Sequence, residues 1–295
     1  MKRMKQSKSR IAFLGFDYVF MVLISIVMIY PMWYVVCASF TDGLEIAKGV
    51  GVLFWPRGFT IVAYEKMFKN PMIVRGFLNT VFIVVVSTVL NIIFTSICAY
   101  VLSRKNVLWN KVFGRLIVFT MYFSGGMIPS YLVNTKILHL NNSWLALILP
   151  GVISVYNMII MRTNFSAIPE SLVESAQLDG ASHWTILMKI VMPLSKAVIA
   201  VMVLYYAVAH WNAWFSASIY LKDRSMYPLQ LVVREILIEN DTSSMTTGTD
   251  AIDQVMAGEV VKYAVIVATS VPILVVYPFL QKYFVGGIMI GAVKE

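Results

Sequence analysis

Six stretches of this chain, at about residues 14–38, 77–102, 113–133, 144–162, 197–220 and 261–281, are apolar and long enough to cross a bilayer. About 20 helical residues span the roughly 30 Å of hydrocarbon. Lipid offers no partner to an open backbone N–H or C=O, so a spanning segment must be a helix or a strand of a closed barrel. None of the six alternates apolar with polar residues in the barrel manner, which leaves helix. Composition agrees, with 59% hydrophobic residues, 13% charged and a mean hydropathy of +0.76. A soluble domain is nearer half apolar and a quarter charged. The expected fold is therefore all-α and integral to the membrane, with six transmembrane helices in one domain over residues 1–295.

Charge sets the direction of these helices. Lys2, Arg3, Lys5, Lys8 and Arg10 precede the first run, whose apolar part is about 25 residues. That exceeds the 7–15 residues of a signal-peptide core, and no A-x-A site follows, so the run is expected to stay as an anchor. With both termini in the cytoplasm, the inner segments hold fourteen Lys/Arg against four acids, and the outer loops hold ten of each. The formal net charge of +9 is thus an excess of inner cations, as the positive-inside rule requires. A nucleic-acid surface would interleave basic patches with aromatics on a folded face, and no such patch is present.

Several chemistries lack their residues. Cys37 and Cys98 both lie inside apolar runs without CxxC spacing, and read as small hydrophobes. His139, His183 and His210 are far apart and form no HExxH pattern, so no metal site is expected. No GxxxxGK[ST] run occurs, so any ATP must be bound by another subunit.

Two outer loops are long. The first, 39–76, carries Phe54-Trp55-Pro56-Arg57-Gly58-Phe59 and then Ile61, Tyr64 and Phe68 at helical spacing. Two readings are open, an interfacial helix with an aromatic anchor or a docking surface for an external partner. The last, 221–260, holds an amphipathic stretch at Leu229–Ile238 and then the Thr/Ser-rich Asn240–Asp250.

The inner loop 163–196 is the most specific feature. Pro169 and Glu170 suit a helix start, where proline needs no N–H partner and an acid meets the positive end of the dipole. Ser171–Leu178 then reads as two turns, with Val173, Ala176 and Gln177 along one side. Gly180 can take the left-handed backbone that ends a helix. Asp179 or Ser182 could cap a second helix running through Trp184, Ile186, Leu187 and Ile190 to Pro193. The small residues Ser175, Ala176, Gly180 and Ala181 would let another surface approach closely. By periodicity alone, this element is either a partner-docking lever or a compact connection.

The residues themselves carry a resemblance. Glu174-Ser175-Ala176, Asp179-Gly180-Ala181, Ile190 and Pro193 match the pattern EAAxxDGAxxxxxxxxIxxP, with Ser175 in place of the first alanine. This resembles the signature cytoplasmic loop of inner-membrane permease subunits of binding-protein-dependent ABC importers. The likeness extends to Ser124-Gly125-Gly126-Met127-Ile128-Pro129, Ile159-Ile160-Met161-Arg162, His210-Trp211-Asn212-Ala213-Trp214-Phe215 and Tyr227-Pro228-Leu229-Gln230. It closes with Tyr283-Phe284-Val285-Gly286-Gly287 and Gly291-Ala292-Val293-Lys294. Together these resemble the maltose-permease type of sugar importer, nearest a branch that takes up oligosaccharides of complex polysaccharides such as rhamnogalacturonan or alginate.

The resemblance implies a non-catalytic subunit of the bacterial cytoplasmic membrane. It implies a second homologous permease subunit as heterodimer partner, two ATPase subunits that bind ATP and Mg, and an extracytoplasmic solute-binding protein. The loop helix would sit in a groove of an ATPase subunit, with Glu174, Ser175, Ala176, Asp179, Gly180, Ala181 and Pro193 at the contact. Glycine at 180 would be the residue least able to accept a side chain. The C-terminal tail, through Gly286, Gly287 and Gly291, would reach toward the same partner.

Polar residues inside spans are candidates for a solute path, because burying them against lipid is costly. Asn91, the Gly125-Gly126 pair with Pro129, Asn157, His210 and Asn212 qualify, and Trp211 and Trp214 could stack on sugar rings. Each also has a packing or interface role open to it. The competing functions are an ion-coupled secondary transporter and a membrane-embedded enzyme. The first wants buried acids near mid-span, and spans two to six carry none. The second wants clustered ionisable groups, and Asp17 and His210 are scattered.

Overall fold

The structure is a computed structural model that describes residues 7–49, 51–238 and 260–278. The expectations for the Thr/Ser-rich stretch and for the glycine-bearing C-terminal tail fall outside these residues. Every regular element among the described residues is helical. Packing divides the chain into two units, residues 1–71 with 235–270, and residues 72–234 with 271–295.

In the first unit, α1 (Lys8–Ser39) starts at Ser7, whose hydroxyl accepts from the Arg10 N–H. It continues through Pro31, and only Cys37, Ala38 and Ser39 are buried. The chain after α1 folds back on the helix end. Thr60 N–H donates to Phe40 O, Trp33 Nε1 donates to Phe54 O, and Phe59 stacks on Phe40 at 5.5 Å. The short α2 (Gly43–Ala47) is capped by the Asp42 carboxylate. Next comes α3 (Val62–Lys69). Ala63 and Met67 are its buried side, while Ile61 and Phe68 are exposed. Tyr64 is held at the edge by a 2.8 Å hydrogen bond with Ser39.

The second unit is built on α4 (Pro71–Ser103), which buries a polar stripe that includes Asn79, Thr80, Ser87, Asn91 and Thr95. After it come α5 (Asn110–Tyr122) and, past Phe123–Gly126, α6 (Met127–Leu132), which widens into a π-type turn over Val133–Ile137. The two halves meet at 110°, so the third expected span is not one helix. Gly126, with φ of 86°, is the pivot, a backbone angle that suits only glycine. The fourth expected span differs more. It contains α7 (Leu145–Ile148), an open stretch around Pro150-Gly151, and the twelve-residue α8 (Val155–Ser166). Proline supplies no N–H and glycine resists helix, so apolarity there does not make a continuous rod.

The loop 163–196 forms α9 (Glu170–Leu178) and α10 (His183–Ile186), a π-type turn over Leu187–Val191, and α11 (Met192–Leu194). Pro193, expected to stop or kink this helix before the next span, lies inside α11, and the break comes two residues later at Ser195. There the axis turns by 87° into α12 (Lys196–Trp211). The fifth expected span is α12, an interruption at 212–214, and α13 (Phe215–Tyr220). Then follow α14 (Leu229–Ile238) and α15 (Val260–Pro278). Among the described residues, three helices are long and apolar enough to cross a membrane, or up to five if each bent pair is one span.

Candidate functional site

The loop 163–196 stands on a buried base. Val173 of α9, Ile186 of α10, and Leu187 and Val191 beyond it pack with Ala99, Leu102, Met158, Met161, Phe165 and Met202. Val173 and Ala176 therefore face inward as the spacing predicts, while Gln177 is exposed.

The turn between α9 and α10 is closed by backbone alone. Gly180 N–H donates to Gln177 O at 3.0 Å and Ala181 N–H to Ala176 O at 2.9 Å, the paired bonds of a Schellman ending. Gly180 sits at φ of 82°. A Cβ there would meet nothing within 4 Å, so a side chain is opposed by backbone strain and not by crowding inside this chain. Of the two capping candidates, Ser182 caps α10 by accepting from the Thr185 N–H, and Asp179 is instead the C-cap of α9. The outer side of the element is bare. Glu174, Ser175, Asp179 and Gly180 are exposed, Ala176 and Ala181 are half-buried, and Pro193 is exposed. Leu178 is 89% exposed, and Leu172, Trp184 and Met188 also present apolar surface. A tightly wound tip with exposed leucine and tryptophan on a packed base is suited to contact another protein.

Two arginines hold the base together. Arg104, just past α4, donates to Phe165 O near the end of α8 at 3.1 Å, and Arg162 of α8 donates to Leu102 O near the end of α4 at 2.9 Å. The last carbonyls of a helix have no partner within it, so each helix here is closed by a cation of the other. Asn110 adds a bond to Leu102 O. Lys105 pairs with Glu170 at 2.9 Å, and each raises the other's preference for charge: the Glu170 carboxyl is held below its ordinary range and the Lys105 ammonium above its own. In the sequence Arg104 is legible only as a charge and Arg162 as a charge and as the end of the Ile159–Arg162 motif; the available signal for their capping role was their position at or within one turn of a helix end.

The residues proposed for a solute path do not form one cluster. Asn91, fully buried, donates through Nδ2 to Gly151 O and Val152 O, both at 2.9 Å, and so satisfies the open stretch before α8. With the amide so oriented, Asn91 Oδ1 accepts from His210 Nε2 at 2.9 Å, which places the imidazole proton on that nitrogen. Nearby, Tyr206 OH accepts from Ser154 N–H at 3.1 Å and shares a bond with Thr95 at 2.7 Å. Trp211 is buried edge-on to Phe77, in a cavity of about 700 Å³ with aliphatic walls such as Val81, Leu204 and Ile273. Trp214 lies under the Arg234 guanidinium, 3.7 Å from ring centre to Cζ. Asn212 is exposed, its amide donating to Val208 O of its own helix, and Asn157 is buried in the first turn of α8.

Residues 91–289 match the family described as the binding-protein-dependent transport system inner membrane component. The chain is 41% identical over 268 residues to Protein LplC of Bacillus subtilis (strain 168), covering 91% of this chain and 90% of that one. It is 39% identical over 282 residues to the polygalacturonan/rhamnogalacturonan transport system permease protein YtcP of the same organism, covering 94% and 96%. Among solved structures, one chain of a bacterial ABC transporter involved in the import of the acidic polysaccharide alginate superposes with a TM-score of 0.84 at 28% identity, covering 95% of this chain and 99% of that one.

Proposed function

This chain belongs to the family of inner membrane components of binding-protein-dependent transport systems, non-catalytic permease subunits of ABC importers in the cytoplasmic membrane, and from that premise we propose how it works. It crosses the membrane six times with both termini in the cytoplasm. It pairs with a second homologous permease subunit, and the pair rests on two ATPase subunits that bind ATP and Mg. An extracytoplasmic binding protein delivers the solute, an oligosaccharide of an acidic polysaccharide of the kind named for YtcP and for the alginate transporter.

Coupling runs through the element α9–Gly180–α10. Glu174, Ser175, Ala176, Asp179, Gly180 and Ala181 meet the ATPase groove, and the exposed Leu178 and Trp184 add apolar contact. Closure of the ATPase dimer displaces this element, and its packed base carries the displacement to α4, α8 and α12. Pro193 and Ser195, where the axis turns by 87°, join the lever to α12. The observation that carries this reading is the left-handed glycine at an exposed tip above a buried core: a bend that a residue with a Cβ would hold only under backbone strain. On the path, Asn212 is the candidate that presents a polar group outward. Trp211, walled by hydrocarbon, serves packing.

The test is Gly180→Asp in the assembled complex, with Gly180→Ala as the milder variant. Uptake should fall about tenfold for the aspartate, since backbone strain of 1–2 kcal/mol adds to a charge placed in the contact. ATP hydrolysis should continue, and membrane insertion should be unchanged. Uptake at the unmodified level in Gly180→Asp would remove the coupling role.

A further inference from the structure

Beside the coupling element lies an open groove of about 800 Å³ between the end of α4 and the start of α10. Ile97, Val101, Val107 and Leu187 form its aliphatic walls, and Tyr100 and Trp184 add aromatic ones. Its polar end carries Arg104, Asn106 and His183. We propose that this groove binds an anionic phospholipid of the cytoplasmic leaflet, with an acyl chain along the aliphatic walls and the phosphate at Arg104. The inference rests on the cytoplasmic placement of this end of α4 given above.

Three observations support a lipid. First, the cation is held in place. Arg104 lies 5.1 Å from the Tyr100 ring centre, donates through Nε to Ser103 Oγ at 3.1 Å and through Nη2 to Phe165 O. A guanidinium has five N–H donors, so most remain for an anion, and their carrier needs little ordering. Lys105 is already paired with Glu170, which leaves Arg104 as the groove's own cation. Second, the segment that borders the groove continues into Leu108 and Trp109, which are 79% and 66% exposed. Apolar surface of that size in a connecting loop belongs in the bilayer interface, and it sets the groove mouth at lipid level. Third, the combination of hydrocarbon walls with one basic end matches a single amphiphile, in a leaflet whose anionic lipids draw basic residues at about 1 kcal/mol each.

The experiment uses the assembled importer, reconstituted in nanodiscs of phosphatidylcholine mixed with phosphatidylglycerol of the same acyl chains, and native mass spectrometry of the lipid retained after mild delipidation. Phosphatidylglycerol should be retained about fivefold over phosphatidylcholine, the weight of one surface cation. Val101→Trp, which fills the groove and leaves Arg104 in the chain, should abolish that preference, and Val107→Trp on the loop provides the same block without altering a helix. Equal retention of the two lipids, or a preference unchanged in both tryptophan variants, would overturn the proposal. A photocrosslinker on Val107→Cys should attach to lipid; attachment to an ATPase polypeptide would give the groove to that partner and also overturn it. If no ATPase subunit assembles with the permease, the coupling reading fails, while lipid retention by the permease still decides the groove.

Discussion

Helices α1 and α4 are nearly the same length, 32 and 33 residues, and both qualify as membrane spans. In α1 none of the most apolar window is buried, whereas in α4 a third of it is. The difference lies in the polar residues. In α1, Ser25 returns its hydroxyl to Met21 O of its own helix at 2.7 Å, which asks nothing of any neighbour. In α4, the buried Asn79, Thr80, Asn91 and Thr95 all bond to other segments. Asn79 donates to Ser225 O and Tyr227 O, and Thr80 accepts from Leu229 N–H. Most of the partners are backbone groups, and Tyr227 O, Gly151 O and Val152 O lie where the chain is not helical. A span with polar residues is therefore the one that permits its neighbours to break, because it supplies what lipid cannot.

Removing the strongest of these stitches should have the greatest effect. Asn91→Leu leaves two carbonyls and His210 Nε2 without their partner and should destabilise the protein by about 2–4 kcal/mol in equilibrium unfolding from detergent micelles. Ser25→Leu in α1, measured the same way, should change stability by no more than about 0.5 kcal/mol. Equal effects of the two would end the distinction between the helices. Thr80→Val keeps the shape and deletes one acceptor, so the cost should be about 1–2 kcal/mol by the same assay.

The smallest effect should come from the exposed pair beyond the end of α4. Lys105→Gln should leave stability at neutral pH and moderate salt within measurement error, because solvent and ions screen such pairs. The sign of its pH dependence is still defined. Glu170 has its folded pKa lowered by Lys105, so the contribution is present above the ordinary carboxylate pKa and is lost as pH falls through the lower folded value. A stability difference between Lys105→Gln and the unmodified protein that grew on acidification would contradict this assignment.

The helix–glycine–helix element of α9 and α10 was legible because its instructions are local. Proline and acid at the start, glycine three residues before a second apolar repeat, and serine as a cap each act within one or two turns. The Schellman bonds of Gly180 and Ala181 and the Ser182 cap are where that chemistry places them. The π-type widening over Leu187–Val191, and the passage of the helix through Pro193, were not legible. They depend on what packs beneath, since Leu187 and Val191 are both buried in the common core. Trp211 shows the same limit: a mid-span tryptophan in a sequence does not reveal its neighbours, and the fold supplies its aliphatic surroundings and the edge contact with Phe77.

Membrane residence, the helical class and the bend between α9 and α10 followed from composition and order along the chain, because apolarity, cap chemistry and glycine's backbone freedom are properties of neighbouring residues. The interruptions at 123–126, 149–154 and 212–214 needed the fold. A helix in lipid can open only where another segment satisfies its carbonyls, and for Gly151 that group is an asparagine 60 residues away.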